Sequence, residues 1–166
     1  RTSNVAIANV QATNGVIHAI DRVILPTDKN IVQLAVGTPA LSILVEAVLA
    51  AELQGVLSGP GPFTVFAPTN DAFAALLGEL NISKAALLAD KALLTKVLTY
   101  HVVPAQVLSS GIPFGQPVTS VQGQTFTIGK DLQITDANNR KSKIVATDVA
   151  AANGVVHVID HVILPR

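Results

Sequence analysis

The chain has 166 residues, of which 49% are hydrophobic and 13% charged, and it contains no cysteine. This composition excludes a disordered tail and suffices for one core of ordinary size. Eleven basic residues balance eleven acidic ones, so no net field attracts a nucleic acid backbone or an anionic membrane. Without cysteine there is no disulfide framework, thiol nucleophile or cysteine-ligated zinc.

Two strands are predicted near the amino terminus, over residues 5–10 and 15–25, with Thr13-Asn14-Gly15 as the turn between them. Asp28 then caps a short helix over about 29–36.

The longest helix is predicted to begin at Thr38-Pro39 and to end near Gly55 or Gly59. The run from Ile31 to Leu57 carries only two charged residues. However, Pro39 interrupts the run, and its leucines and valines recur at helical spacing. We therefore expect a buried amphipathic helix and not a transmembrane span.

A buried strand is predicted at Phe63–Ala67, because this segment is short, β-branched and aromatic. The following helix begins at Thr69 or Asn70, since either side chain can accept a hydrogen bond from a first-turn amide. Asp71 suits the positive end of that helix dipole.

Two further helices, at about 84–88 and 91–99, are predicted behind the caps Ser83 and Asp90. After Tyr100 the hydrophobic period changes from 3.6 to 2. Short strands are predicted at His101–Val103, Val107–Leu108, Pro117–Val121, Thr125–Ile128, Leu132–Thr135, Ile144–Asp148 and Val155–Leu164. Helices in the first half and strands in the second indicate an α+β fold with antiparallel pairing.

An internal repeat organises the chain. Residues 153–165 and 14–26 are identical at ten of thirteen positions, with a constant offset of 139. A repeating unit of about domain length explains such a copy. We interpret residues 1–26 as the C-terminal strands of one unit and residues 27–166 as a complete second unit. An apolar strand with free edges is stabilised by pairing and burial. Residues 5–25 are therefore predicted to dock on this domain's sheet or to form a strand-exchanged homo-dimer.

Three stretches, in this order and spacing, resemble the fasciclin-like (FAS1) domain: Phe63-Thr-Val-Phe-Ala-Pro-Thr-Asn-Asp-Ala-Phe73, Tyr100-His101-Val-Val, and Asn153 to Pro165. The resemblance covers about residues 28–165. It implies a wedge-shaped β-sandwich of about seven strands with several packed α-helices. It also implies tandem copies in secreted or surface-anchored proteins, adhesion through protein or matrix contacts, and no general catalytic activity.

The motif pair Tyr100-His101 lies where a helix gives way to a strand. The resemblance implies that this pair forms part of an adhesive surface. The alternative, which we favour, is that Tyr100 packs its ring and His101 hydrogen-bonds a loop, fixing the junction. Asp71 is a plausible hydrogen-bond partner by sequence order.

His157 and His161 have a spacing that suits a metal site on a helix. On a strand the two side chains would be ~13 Å apart, too far to share one ion. His157 and Asp160 recur as His18 and Asp21, and we interpret them as structural hydrogen-bonding groups. An aspartate within such a strand also suggests a bulge or a kink.

No cofactor, metal or catalytic residue is predicted, because the sequence lacks a nucleophile elbow and a phosphate-binding loop. The basic cluster Arg140-Lys141-Ser-Lys143, with Lys130 nearby, is typical of a solvated turn. Asn81-Ile82-Ser83 is an N-glycosylation sequon that matters only in a eukaryotic secretory pathway.

The leading hypothesis is a secreted or surface adhesion module that binds a protein, matrix or cell-surface partner without catalysis. One alternative is an architectural spacer repeat in a multi-domain surface protein. Another is a small-ligand binder that uses a cleft of the wedge. The absence of cysteine and the alanine-rich helices favour a bacterial surface, periplasm or matrix over a eukaryotic extracellular site.

Overall fold

The computed structural model describes residues 28–166 in full, and residues 5–12 and 15–20 as backbone. The predicted turn at residues 13 and 14, and the predicted strand beyond residue 20 with its Asp21, lie outside the described residues.

The first helix of the complete unit, α1, spans Ile31–Val36. It is capped by Asn30 and not by Asp28, which corrects the prediction. Asn30 Oδ1 accepts a hydrogen bond from the Gln33 amide, and Gln33 Oε1 accepts one from the Asn30 amide. This reciprocal capping box satisfies two first-turn donors at once, which Asp28 could not do from two residues further upstream.

The predicted longest helix is broken into three pieces. A 3-10 turn at Pro39–Leu41 leads into α2, Ser42–Ala50, and a separate α3 spans Gln54–Leu57. Between α2 and α3, Glu52 adopts the left-handed conformation with φ of 57°, which no α-helix can continue through.

The remaining helices follow their predicted caps. Strand β3 spans Phe63–Pro68, and the helices are α4 (Asn70–Leu80), α5 (Lys84–Ala89) and α6 (Lys91–Tyr100). Thr69, Ser83 and Asp90 each accept a hydrogen bond from an amide three residues onward, which confirms these three helix starts. Within the part of the chain that the structure describes, no helix is long and apolar enough to span a bilayer.

The second half of the unit is built from strands. They are β4 (Val102–Val103), β5 (Pro117–Thr119), β6 (Thr125–Ile128), β7 (Gln133–Thr135), β8 (Lys141–Ala151) and β9 (Gly154–Ile159). Residues 107 and 108 do not form the predicted strand Val107–Leu108. A 3-10 turn follows them at Ser109–Gly111. The last strand ends at Ile159, five residues before its predicted end, because the chain bends at Asp160 and His161.

Seven strands form one mixed sheet, in the order β4-β3-β9-β8-β7-β6-β5. Every neighbouring pair is antiparallel except β3 and β9, which run parallel from the pair Phe63 and Gly154 to the pair Pro68 and Ile159. The prediction of purely antiparallel pairing is therefore wrong at this pair. Parallel neighbours require a long crossover, and here α4 to β8 supply it.

The structure has two clusters of buried apolar side chains: one contains the buried face of the helices, and the sheet curls around the other. The rings of Phe66 on β3 and Phe126 on β6 lie 5.2 Å apart edge to face, although three strands separate β3 from β6 in the sheet order. The amide of Val121, after β5, donates to the carbonyl of Val102 in β4 at 2.7 Å. This bond links the two edges of the sheet, which leaves less edge open to stray pairing. The arrangement is the expected α+β sandwich.

The amino-terminal hairpin repeats the closing hairpin in detail. Strands β1 (Val5–Ala12) and β2 (Gly15–Ile20) form a separate two-stranded sheet. Their five paired positions equal those of β8 and β9 after subtraction of 139, and both hairpins have their two register irregularities at the same places. The described strands of this hairpin make no hydrogen-bonded pairing with the seven-stranded sheet, so the expected docking by strand addition is not found.

Candidate functional site

Tyr100 is the last residue of α6 and is completely buried. Its hydroxyl donates to the Thr125 carbonyl at 2.9 Å and accepts from the Ala137 amide at 3.1 Å. Its ring packs edge to face on Phe126, with centroids 5.7 Å apart. Burial raises the pKa of the Tyr100 phenol, against the opposing effect of the Ala137 amide. The side chain therefore ties α6 to the start of β6 and to the turn before β8.

His101 is 1% exposed and pins the C-terminal segment. The Ile163 amide donates to Nε2 at 3.2 Å, so the ring is neutral and its Nδ1–H donates to the Val97 carbonyl at 2.8 Å. Burial, partly offset by the Val97 carbonyl, lowers the pKa of His101 to about 4. Asp71, the partner suggested by sequence order, is exposed on α4 and is not among the bonds of this ring.

These contacts bear on both interpretations of the motif pair. Neither Tyr100 nor His101 reaches the surface, so contact between these side chains and a partner would require the junction of helix and strand to open. The hydrogen bonds of both side chains go to backbone groups of this chain, as expected if the pair fixes the junction between helix and strand.

Asp136 is a buried carboxylate that the sequence reasoning missed. It is 4% exposed and accepts hydrogen bonds from the amides of Asn138, Arg140 and Leu164. It thereby holds the turn before β8 and the C-terminal segment together. The run Asp136-Ala-Asn-Asn139 could have indicated the bond from the Asn138 amide, because aspartate commonly accepts a hydrogen bond from the backbone amide two residues onward.

The first motif contributes bonds between helices. Besides the Thr69 cap, Asn70 Oδ1 accepts from the Ile43 amide at 3.0 Å, and Asn70 Nδ2 donates to the Pro39 carbonyl at 3.0 Å. Asn70 thus caps α2 from the start of α4, which satisfies an amide that α2 cannot bond itself.

His157 lies on β9 and is completely buried. Its Nε2–H donates to the Val107 carbonyl at 2.8 Å, and its Nδ1 accepts from the Asp148 amide at 3.3 Å. Asp148 stands in a bulge of β8 with φ of 57°. Its carboxylate accepts from the amide and the hydroxyl of Ser109. Burial alone would raise the pKa of Asp148, but the two Ser109 donors outweigh it and lower the pKa.

Serine, aspartate and histidine meet here, but not as a nucleophilic triad. In such a triad the histidine bonds the serine hydroxyl and the aspartate orients the histidine. In this cluster Ser109 bonds Asp148 instead, and both nitrogens of His157 are held by backbone groups. The arrangement fixes a bulge and leaves no imidazole nitrogen beside the hydroxyl.

The turn between β8 and β9 joins the sheet to the helical half. Asn153 Oδ1 accepts from the Ile31 amide at 3.0 Å, and Asn153 Nδ2 donates to the carbonyls of Leu57 and Gly59. A Cβ on Gly154 would lie 2.0 Å from the Phe63 carbonyl oxygen, so only glycine allows β3 to approach so closely. The sequence indicated the importance of Asn153 and Gly154 because the internal repeat retains both, as Asn14 and Gly15.

Asp160 lies in the bend that directly follows β9, at the position where the sequence predicted a bulge or a kink. Its Oδ1 accepts from the Lys143 amide at 2.7 Å and from His161 Nδ1 at 2.8 Å. Burial would raise the pKa of Asp160, but the bonds from His161 and Lys143 lower it. Over residues 28–166 no three potential ligands converge as a metal site.

The surface features are simple. Asn81 of the sequon is exposed and ends α4 in the left-handed conformation. In the basic cluster, Arg140 pairs with Glu79, while Lys141 and Lys143 are exposed on β8. Several large apolar side chains are also exposed, and two of them, Val56 and Val121, line one small recess beside α3.

Comparison with known proteins gives concordant similarities. The family model of the Fasciclin domain matches residues 39–165. Protein sll1483 of Synechocystis is 45% identical over 138 residues, which are 82% of this chain and 73% of that protein. The transforming growth factor-beta-induced protein ig-h3 of Sus scrofa is 34% identical over 159 residues, which are 95% of this chain but only 22% of that protein.

A solved structure has the same fold. It is a FAS1 domain pair from the insect cell adhesion molecule fasciclin I, and it superimposes with a TM-score of 0.73 at 18% identity. The superposition covers 98% of this chain and 60% of the insect chain.

Proposed function

This chain belongs to the fasciclin domain family, and from that premise we propose that it is a non-catalytic adhesion or protein-interaction module. Its partner is a protein, a matrix component or a cell-surface molecule. We place it in a secreted, surface-displayed or periplasmic protein built from several such units.

The adhesive role rests on membership of the family, and the observation that supports the arrangement in several units is the shared register of the two hairpins. Residues 1–26 are, in this proposal, the last strands of a preceding unit, and residues 27–166 are a complete unit. The copy keeps Asn14, Gly15 and His18. In the complete unit the equivalent Asn153 bonds the helical half, Gly154 lies against β3, and His157 bonds the loop after β4. Their retention is expected if the copy also closes a unit.

Chain length argues against the copy closing this same unit. With residues 14–26 in the place of 153–165, residue 26 would lie where Pro165 lies, beside Asn138 ahead of β8. Lys29, however, is bonded to Ala152, just past the far end of β8. The eleven residues of β8 span roughly 35 Å, whereas three residues bridge at most about 11 Å.

A strand-exchanged homo-dimer through residues 5–25 is the alternative to a preceding unit, and the topology of the sheet argues against it. In a second copy β3 already lies between β4 and β9, so exchange would expose about as much apolar surface as it buries. We therefore expect light scattering to show mainly monomer at micromolar concentration. A stable dimer under these conditions would favour strand exchange.

The partner surface is proposed to lie outside the motifs, because their buried side chains act on the chain itself. We propose the recess lined by Val56 and Val121, which are 53% and 42% exposed. Exposed apolar side chains that are grouped together are the usual anchors of protein contacts.

Attachment of cells or matrix proteins to the immobilised chain tests the proposal. The double variant Val56→Ser/Val121→Ser should abolish attachment and keep the unfolding midpoint. The control Val145→Ser changes another exposed valine and should keep attachment. If the unaltered chain attaches nothing at high micromolar concentration, the spacer alternative is favoured. That alternative draws support from the inward orientation of the motif side chains.

A further inference from the structure

A cleft of about 170 Å³ lies between α4, α5, α6 and the C-terminal segment. Its floor is made of side chains that are already core residues: Phe73, Leu76, Leu87 and Leu94. Ten of its eleven lining residues carry no charged or hydrogen-bonding side chain. Such a space is suited to hydrocarbon and poorly suited to ordered water.

Polar contacts hold the wall of this cleft in place. The wall consists of Leu164 and Pro165. The Leu164 amide donates to Asp136 Oδ2 at 2.9 Å, and the Leu164 carbonyl accepts from Asn138 Nδ2 at 3.0 Å. Because these bonds fix the backbone of the segment, the wall cannot simply collapse onto the floor.

Lys96 is the single charged residue that lines the cleft. It is exposed on α6, where its alkyl stem can follow the apolar rim and its ammonium group can stay in water. Within residues 28–166 the ion pairs use Lys84, Lys91 and Arg140 as partners of glutamates, and none uses Lys96. Glu79, on α4, is paired with Arg140.

We propose that this cleft binds an alkyl carboxylate, with the tail on the apolar floor and the carboxylate on Lys96. Cavities of about 150 Å³ accept one benzene ring, so a space of about 170 Å³ suits a tail of about six or seven carbons. A carboxylate meets a cation here and no opposing acidic lining residue. This site shares only the lining residue Leu98 with the recess at Val56, and the proposal does not depend on adhesion.

Methyl NMR of the full chain, titrated with sodium octanoate, tests the proposal. We expect saturable shifts at the methyls of Leu76, Leu94 and Leu164, with a Kd of roughly 0.1–1 mM for a ligand of this size. Lys96→Gln should weaken octanoate binding about twofold to fivefold, the range of an exposed ion pair, and leave the binding of neutral 1-octanol unchanged. Lys91→Gln, which alters another exposed lysine of the same helix, should change neither.

Three results would overturn the proposal. The first is the absence of saturable shifts up to about 5 mM, well above the expected Kd. The second is that the shifts lie on residues outside the cleft. The third is equal octanoate affinity in the Lys96→Gln variant and the unaltered chain, which would show that the carboxylate does not bind there.

Discussion

The two hairpins of this chain have the same register and the same irregularities, yet they stand in different surroundings. Strand β9 lies between β8 and β3, whereas β2, in the described part of the chain, is hydrogen-bonded to β1 alone. The shape of the hairpin is therefore encoded locally. The polar and glycine positions of the closing hairpin serve the helical half and β3, and we propose that those of the amino-terminal hairpin serve a preceding unit. The substitutions below exploit this difference.

The largest difference is expected at the matched glycines. Gly154→Ala should destabilise the domain by more than about 3 kcal/mol, because the new Cβ would meet the Phe63 backbone, which cannot yield without shifting β3. Gly15→Ala should change the free energy of unfolding by less than about 1 kcal/mol. Urea unfolding measures both. Equal effects would show that β2 already has a close neighbour.

Acid should act on the C-terminal segment that follows the closing hairpin, through His101. Its pKa falls from 6.5 to about 4 on folding, so the unfolded state binds the proton first as the pH drops. Stability is complete above pH 6.5 and should fall by about 3 kcal/mol as the pH approaches 4. The variant His101→Gln should flatten this pH profile even if it lowers stability overall. A constant unfolding free energy of the unaltered chain between pH 7 and pH 4.5 would contradict the account.

The matched asparagines give a smaller contrast. Asn153→Ala removes three hydrogen bonds between the β8–β9 turn and the helical half, and we expect a loss of about 2 kcal/mol. Asn14→Ala should stay within about 0.5 kcal/mol in this chain. Thermal unfolding of the two variants side by side measures the difference, and a loss at Asn14 as large as at Asn153 would argue against it.

The smallest effect is expected where the copies differ. Residue 161 is histidine in one copy, and the equivalent residue 22 is arginine in the other. His161→Arg should change the unfolding free energy by no more than about 0.5 kcal/mol, because this side chain is half exposed. A change above 1 kcal/mol would mean that the position distinguishes the two units.

Local features of the fold could be predicted from the sequence, and those that depend on distant residues could not. The caps Thr69, Ser83 and Asp90 act within one helical turn, so their residue types suffice. The parallel pairing of β3 with β9 joins segments about ninety residues apart, which periodicity does not report. The break at Glu52 was hidden because a non-glycine residue adopts the left-handed conformation there.

The candidate site divides in the same way. The motif residues could be found from the resemblance and the repeat, but their orientation could not. Burial of Tyr100 and His101 depends on partners at Thr125, Ala137 and Ile163, each more than twenty residues away. The role of Asp136 could not be predicted in full because one of its three donors, the Leu164 amide, is also more than twenty residues away in sequence.

The central claim is that the amino-terminal hairpin closes a preceding unit. Val5 is equivalent to Ile144 by the offset of 139, so a chain with residues 28–143 placed directly before Val5 would hold two complete units. Native-state hydrogen exchange of the amides of residues 15–20 tests the claim. In the present chain, as a monomer, we expect them to exchange at least about 100-fold faster than those of residues 154–159, since a lone hairpin is marginally stable. In the extended chain both sets should be similarly protected. Equal protection in the present monomer, or no gain in the extended chain, would contradict the claim.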